Sequence, residues 1–348
     1  MFRYLIRKTG YGIAVLAGVV MLVFFLFQGL GDPARLVLGQ SGDSTTLSNI
    51  RKELALDQPK WKQFLLYMND VSPIALHSRK EIKEKQLKGF FIGGENTLAI
   101  KIPYLRRSYQ TKKQVADVLW EALPGTLILA IAAMALATVL GILLGVLAAV
   151  KKNTWMDTTS VFASVLGISA PSFFMGIIIA YLFGFVFSNL TGLHMTGSLY
   201  TTDPFAGKQL SLQNLILPAI TLGIRPLAII TQLTRSAMLD VLDQDYIRTA
   251  FAKGLSRKKV VFVHALRNAL NPVITAITGW FAELLAGAFF VEYIFGWKGI
   301  GKVTVDALEK LDFPVVMGSV LLTAAFFILV NLLADVLYGL VDPRVRIQ

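Results

Sequence analysis

Long uncharged apolar runs, broken by short polar stretches, set the pattern of this chain. Thr9 to Gly31, Thr126 to Val150, Thr158 to Leu193 and Phe313 to Ala334 carry no charged side chain. A helix crossing a bilayer needs roughly 20 such residues at about 1.5 Å each, so each run is long enough to span. Two further runs carry one charge near the middle: Leu215 to Thr234, interrupted by Arg225, and Pro272 to Ile294, interrupted by Glu283. The pattern predicts an all-α polytopic membrane protein with about six transmembrane helices. Continuous apolar runs, rather than alternating segments of about ten residues, argue against an outer-membrane barrel.

The blocks follow from this spacing: an N-terminal anchor helix over 1–31, a large extracytoplasmic segment over 32–117, and a five-helix core over 118–348. The first run is too long for a cleaved signal peptide and lacks a small-x-small site before Asp32, so it reads as a retained anchor. Lys and Arg near the helix ends set orientation, because short positively charged loops stay in the cytoplasm. Arg3, Arg7 and Lys8, then Lys151 and Lys152, then Arg235 to Arg267, then Arg344 and Arg346 all fall on one side. Both termini are therefore expected in the cytoplasm. The large first loop is basic too, but long loops translocate largely regardless of charge. Gly141 and Gly145 are spaced for close helix packing in lipid.

Composition adds two exclusions. The formal net charge of +12 is explained by topology and by anionic lipid, and no basic helix interleaved with stacking aromatics points to nucleic acid. The chain has no cysteine, which removes disulfides, thiol catalysis and cysteine-held zinc. No Gly-x-x-x-x-Gly-Lys-Ser/Thr loop is present to cradle phosphates, and His77, His194 and His264 are scattered. No catalytic residues and no metal site are expected.

The stretch over 240–271 stands out, and its part over 240–262 is a candidate docking surface. Leu242, Tyr246, Ile247, Ala250, Phe251 and Leu255 make one apolar face, while Asp245, Arg248, Thr249 and Lys253 occupy the other. Gly254 suits the C′ position of this short helix because it can take positive φ, and Ser256 can N-cap a second helix running toward His264. Two readings stand side by side: a stiff helix–glycine–helix knob facing the cytoplasm, or an amphipathic helix lying on the membrane surface.

Tyr246-Ile-Arg-Thr-Ala-x-x-x-Gly254, followed by His264-Ala-Leu-Arg-Asn-Ala-Leu-Asn-Pro272, resembles the EAA signature of permease subunits of ATP-binding-cassette importers, in the form found in the dipeptide/oligopeptide/nickel branch. Leu233-Thr-Arg-Ser-Ala-Met-Leu239, Val291-Glu-Tyr-Ile-Phe-Gly-Trp-Lys-Gly-Ile-Gly301, Asn331 to Arg344, Glu53 to Trp61 and Leu123-Pro-Gly-Thr-Leu127 are similar to that family as well. Arg248 and Thr249 stand where the generic signature has Glu and Ala, as in the peptide branch. About 71–107 reads as an insertion, whose charge run Arg79 to Lys85 is expected to be a solvated surface.

The resemblance implies a non-catalytic subunit that forms the pathway for peptides across a bacterial inner membrane. Its implied partners are a second, homologous permease, two ATPase subunits that hold ATP and magnesium, and an extracytoplasmic solute-binding protein. It implies that Tyr246, Ile247, Arg248, Thr249, Ala250, Phe251, Gly254 and Leu255 couple this chain to an ATPase. Nickel or another small solute is the alternative cargo, and a secondary transporter or channel is the alternative class. Intramembrane charges are functional candidates by default. Arg225 and Glu283 are expected to pair with each other, or else to line the route; Asp335 and Asp342 are expected near Arg344 as a structural ion pair.

Overall fold

The computed structural model describes residues 2–28, 48, 51, 56–203 and 207–341. Asp342, Arg344 and Arg346 lie outside these, as do Asp32 and Glu53, so the ion pair expected around Arg344 falls there too. Helices dominate, as the apolar runs require, and five are long and apolar enough to cross a membrane, or six if one bent pair forms a single span. Apart from a four-residue helical turn at Ser188–Thr191, the α-helices are in order α1 (Phe2–Gln28), α2 (Lys60–Val71), α3 (Arg79–Lys85), α4 (Val115–Val150), α5 (Trp155–Ser169), α6 (Ser172–Tyr181), α7 (Gln213–Leu242), α8 (Asp245–Ala252), α9 (Arg257–Lys259), α10 (Leu266–Gly287), α11 (Phe289–Ile294), α12 (Ile300–Glu309) and α13 (Phe313–Val341).

Three boundaries differ from the hydropathy pattern, each for a local reason. The apolar run from Thr158 is not one helix: α5 and the segment continuing α6 through Val186 are bent by 110°. Pro171 follows the extended Ala170 and begins the second helix, since a proline excludes its predecessor from helical geometry. The second helix begins at Val115, so the division at 117/118 falls inside it; Pro124 is tolerated within it. The fifth span begins at Arg257, not Pro272. From α9 the chain passes through a π-helical turn, Val260–Ala265, straight into α10, so the apparent second short helix of the coupling segment is the base of that span. This span ends at Leu285, and α11 is a separate element.

Two compact units cut across the three sequential blocks: 1–6, 124–302 and 326–348 in one, 7–123 and 303–325 in the other. In the first, Gly141 and Gly145 of α4 meet α7 closely, as a Cβ on Gly141 would fall 2.8 Å from Ile230 Cγ2 and one on Gly145 2.5 Å from Thr234 Cβ. Small residues there let backbones approach in lipid. Leu129, Ala133, Leu222, Ile230, Val273 and Leu284 are the centre of its core.

The second unit holds the insertion over about 71–107, which contributes a small three-stranded sheet. β1 (Ile74–Ser78), β2 (Gly89–Gly93) and β3 (Asn96–Lys101) form an antiparallel sheet in the order β1-β3-β2. The run Arg79 to Lys85 is more than solvated surface. Ser78 and Glu81 close a reciprocal capping box on α3, and Lys85 turns inward to Asp70 at 2.5 Å. Asp70 is a hub: Arg106 reaches its carboxylate at 3.3 Å, while Lys101 Nζ and the Tyr104 amide donate to its backbone carbonyl. Burial pulls the Lys101 ammonium down to about 8. Phe64 and Tyr67 of α2 stack against Phe24 and Phe25 near the end of α1.

Candidate functional site

The segment over 240–262 is built on a helix end. Just past the end of α8 the amides of Gly254 and Leu255 donate to the carbonyls of Phe251 (2.9 Å) and Ala250 (3.3 Å), the paired bonds of a Schellman motif. Gly254 sits at C′ with φ +78°, and nothing lies within 4 Å of where a Cβ would stand. The demand for glycine there is conformational and not steric. Ser256 precedes α9, but its side chain makes no capping bond.

The apolar residues of α8 split into two sets. Ile247 and Ala250 are buried against Val146, Met238, Val260, Val261 and Ala265, with Leu255 packed beside them. Tyr246 and Phe251 remain exposed, at 43% and 45%, so the single face read from the sequence is an inner anchor and an outer pair. The Tyr246 hydroxyl accepts from Asn268 of the fifth span at 2.8 Å. Thr249 donates to the Asp245 carbonyl at 3.0 Å, and Arg248 pairs loosely with Asp245 at 3.5 Å in water. Arg257 donates to the carbonyl of Val150 at 3.2 Å, placing a cation on the C-terminal end of α4. The segment is thereby fixed to three spans. These contacts favour the stiff corner over a helix lying loosely on lipid.

Beside it, Arg235 forks onto Asp157 with bonds of 2.5 and 2.8 Å, and the Asn153 amide donates to the same carboxylate at 3.0 Å. This ties the α4–α5 turn to α7. Arg235 belongs to the run 233–239 quoted above; its partner is 78 positions away, beyond any local sequence signal.

Arg225 and Glu283 do not pair. No ion pair joins them; instead they line one recess between α5, α6, α7 and α10. The Arg225 guanidinium lies over the Trp280 ring, 5.8 Å from its centre. The two charges therefore share a recess without an ion pair between them.

A further buried acid escaped the sequence analysis. Glu292 is fully buried on α11. Its carboxylate accepts from Thr126 Oγ1 at 2.7 Å and from the Lys302 amide at 3.2 Å, and Thr126 Oγ1 also accepts from the Ile300 amide at 2.9 Å. Trp297 Nε1 donates to the Gly125 carbonyl at 2.9 Å. A Cβ on Gly299 or Gly301 would run into this carboxylate, so the glycines of Gly-Trp-Lys-Gly-Ile-Gly make room for an acid that reaches back to Leu-Pro-Gly-Thr. Burial outweighs the hydrogen bonds and raises Glu292 to about 7. Among the described residues no group of three acidic or histidine side chains could hold a metal ion.

The family model described as the binding-protein-dependent transport system inner membrane component matches residues 141–347, and the N-terminal model of the same kind of membrane component matches 1–81. The chain is 39% identical over 370 residues to the dipeptide transport system permease DppB of Escherichia coli K12, covering 99% of each. It is 37% identical over 364 residues to the di/tripeptide permease DppB of Pseudomonas aeruginosa, covering 100% of each. It is 35% identical over 347 residues to the glutathione permease GsiC of Escherichia coli K12, covering 99% of each. Among solved structures, a chain of the inward-facing MetNI methionine ABC transporter matches with a TM-score of 0.51 at 15% identity, over 65% of this chain and 97% of that one. That last likeness concerns fold alone.

Proposed function

The chain belongs to the binding-protein-dependent permease family of ATP-binding-cassette importers, in its dipeptide/oligopeptide branch, and from this we propose that it forms part of a peptide pathway across the inner membrane. The observation that carries the reading is end-to-end likeness to permeases named for dipeptides, di/tripeptides and glutathione.

The chain's role is mechanical. A second permease completes the pathway, two ATPase subunits bind ATP and magnesium, and an extracytoplasmic binding protein delivers the peptide. The helix–Gly254 corner is the contact with an ATPase: Tyr246 and Phe251 enter a groove, flanked by Arg248 and Thr249, while Ile247, Ala250 and Leu255 anchor the corner to the spans. Rigid-body movement of the ATPases then reaches the pathway. Both termini face the cytoplasm, which puts α8 on the same side as the ATPases.

The test is co-purification in nanodiscs with mass spectrometry of the partners, joined to peptide-stimulated ATP hydrolysis and uptake. Recovery of a second permease and of ATPases, with ATP-driven dipeptide uptake, is the expected result. A partner-free chain whose transport is collapsed by an uncoupler and indifferent to ATP would replace this reading with a secondary transporter.

A further inference from the structure

Two charges of opposite sign, Arg225 near the middle of α7 and Glu283 near the far end of the fifth span, share a recess yet leave each other unpaired, which is costly unless something completes them. Arg225 and Glu283 are both exposed in the isolated chain and border the same recess. The recess has a volume of about 100 Å³. Arg225 is held from below by the Trp280 ring, which fixes the cation while leaving its guanidinium donors free for an anion.

Two more observations point to a missing ligand. Thr221 lines the recess, is only 3% exposed, and its hydroxyl has no hydrogen-bond partner. Such groups are normally satisfied, and an unmade bond costs roughly 1–3 kcal/mol. Beside it, Pro226 has no N–H to give the carbonyl of Leu222, which also borders the recess. The recess therefore offers a cation, an anion and a free hydroxyl around apolar walls. This is the complement of a zwitterion whose side chains are left unread.

We infer that the Arg225–Thr221–Glu283 recess is a binding site for short peptides with both termini free, the carboxylate going to Arg225 and the ammonium to Glu283. This rests on the peptide-import reading and adds a permease-borne selection, separate from any made by the binding protein. Because Glu283 and Trp280 ride on the span that begins at the coupling corner, the site lies on a part that moves.

The experiment uses the assembled permease–ATPase complex in nanodiscs without binding protein, titrated with dialanine, dialanine amide and N-acetyl-dialanine while tryptophan fluorescence is read. A saturable change that Trp280→Phe abolishes is expected with dialanine, and each capped form should bind roughly tenfold or more weakly, the loss of one charge-assisted contact. Arg225→Gln should weaken dialanine and leave the amide unaffected; Glu283→Gln should weaken dialanine and leave the N-acetyl form unaffected. Equal titration of the three ligands by the wild-type complex, or no Trp280-dependent change, overturns the site without needing any variant. ATP-driven dialanine uptake by the same complex with its binding protein separates the two failures. Uptake without terminus-selective binding sinks the site alone, whereas no uptake sinks the peptide reading beneath it.

Discussion

Glu292 and Asp70 show two ways in which a buried acid is used. Around Glu292 there is no cation among the hydrogen-bond partners, only a hydroxyl and amides, so burial dominates and the group holds its proton to about 7. The native state then binds a proton that the unfolded chain releases near 4.5, and stability falls as pH rises between those values. The span corresponds to about 3 kcal/mol. Thermal unfolding of the complex should fall across this range, and Glu292→Gln should flatten the slope; an unchanged slope would place the titration elsewhere. Asp70 is instead surrounded by cations. Asp70→Asn leaves Lys85 and Arg106 unneutralised, and since both are partly solvated the cost is about 2 kcal/mol, less than for a fully buried pair. Faster hydrogen exchange in β1 and β3, with the spans unaffected, is the expected signature.

At the scale of elements, the helix end at Gly254 can be separated from its surroundings. Because φ is positive there and no atom crowds the Cβ position, Gly254→Asn should keep uptake near normal, since Asn tolerates the left-handed region. Gly254→Val should preserve membrane insertion yet uncouple ATP hydrolysis from transport. If the valine variant transports normally, the corner has no part in coupling. Gly145→Leu is a contrasting case, for there the obstacle is the Thr234 side chain and the Thr231 carbonyl. It should push α4 from α7 and lower the yield of folded complex, whatever its effect on coupling. The spans and the glycine corner could be read from the sequence because each is written locally, as an apolar run or a helix-stop signal. The 110° bend was missed because Pro171 sits in uninterrupted apolar sequence, which hydropathy averages over. The fifth span starts early because Val260 to Ala265 is apolar but preceded by Arg257, Lys258 and Lys259, whose charges masked its base. The small sheet was hidden because β2, Gly-Phe-Phe-Ile-Gly, lacks polar alternation.

At the scale of the whole molecule, most of what was invisible in sequence is long-range. The Thr126–Glu292 bond closes 166 positions, Asp157–Arg235 closes 78, and Ser108–Asp312 closes 204. No periodicity or propensity encodes such pairings, although both ends of the first lie in stretches that resemble the family. Topology remains open to a direct check: a cysteine placed at Lys152 or Lys258 should be shielded from an impermeant external thiol reagent, and one at Lys88 should react. The chain's natural lack of cysteine gives this assay a clean background.

The unbroken passage from Arg257 through the π turn into α10 carries one more implication. Glu283 lies 26 residues beyond Arg257, about 39 Å along such a helix at ~1.5 Å per residue. Under the proposed coupling the span would act as a lever arm, and a tilt of only ~5° at its base would sweep the far carboxylate by about 3 Å. That stroke is as long as a hydrogen bond, enough to make or break a grip on a peptide's ammonium group. One part would then serve as both crank and claw, with the gearing between nucleotide and cargo set by helix length.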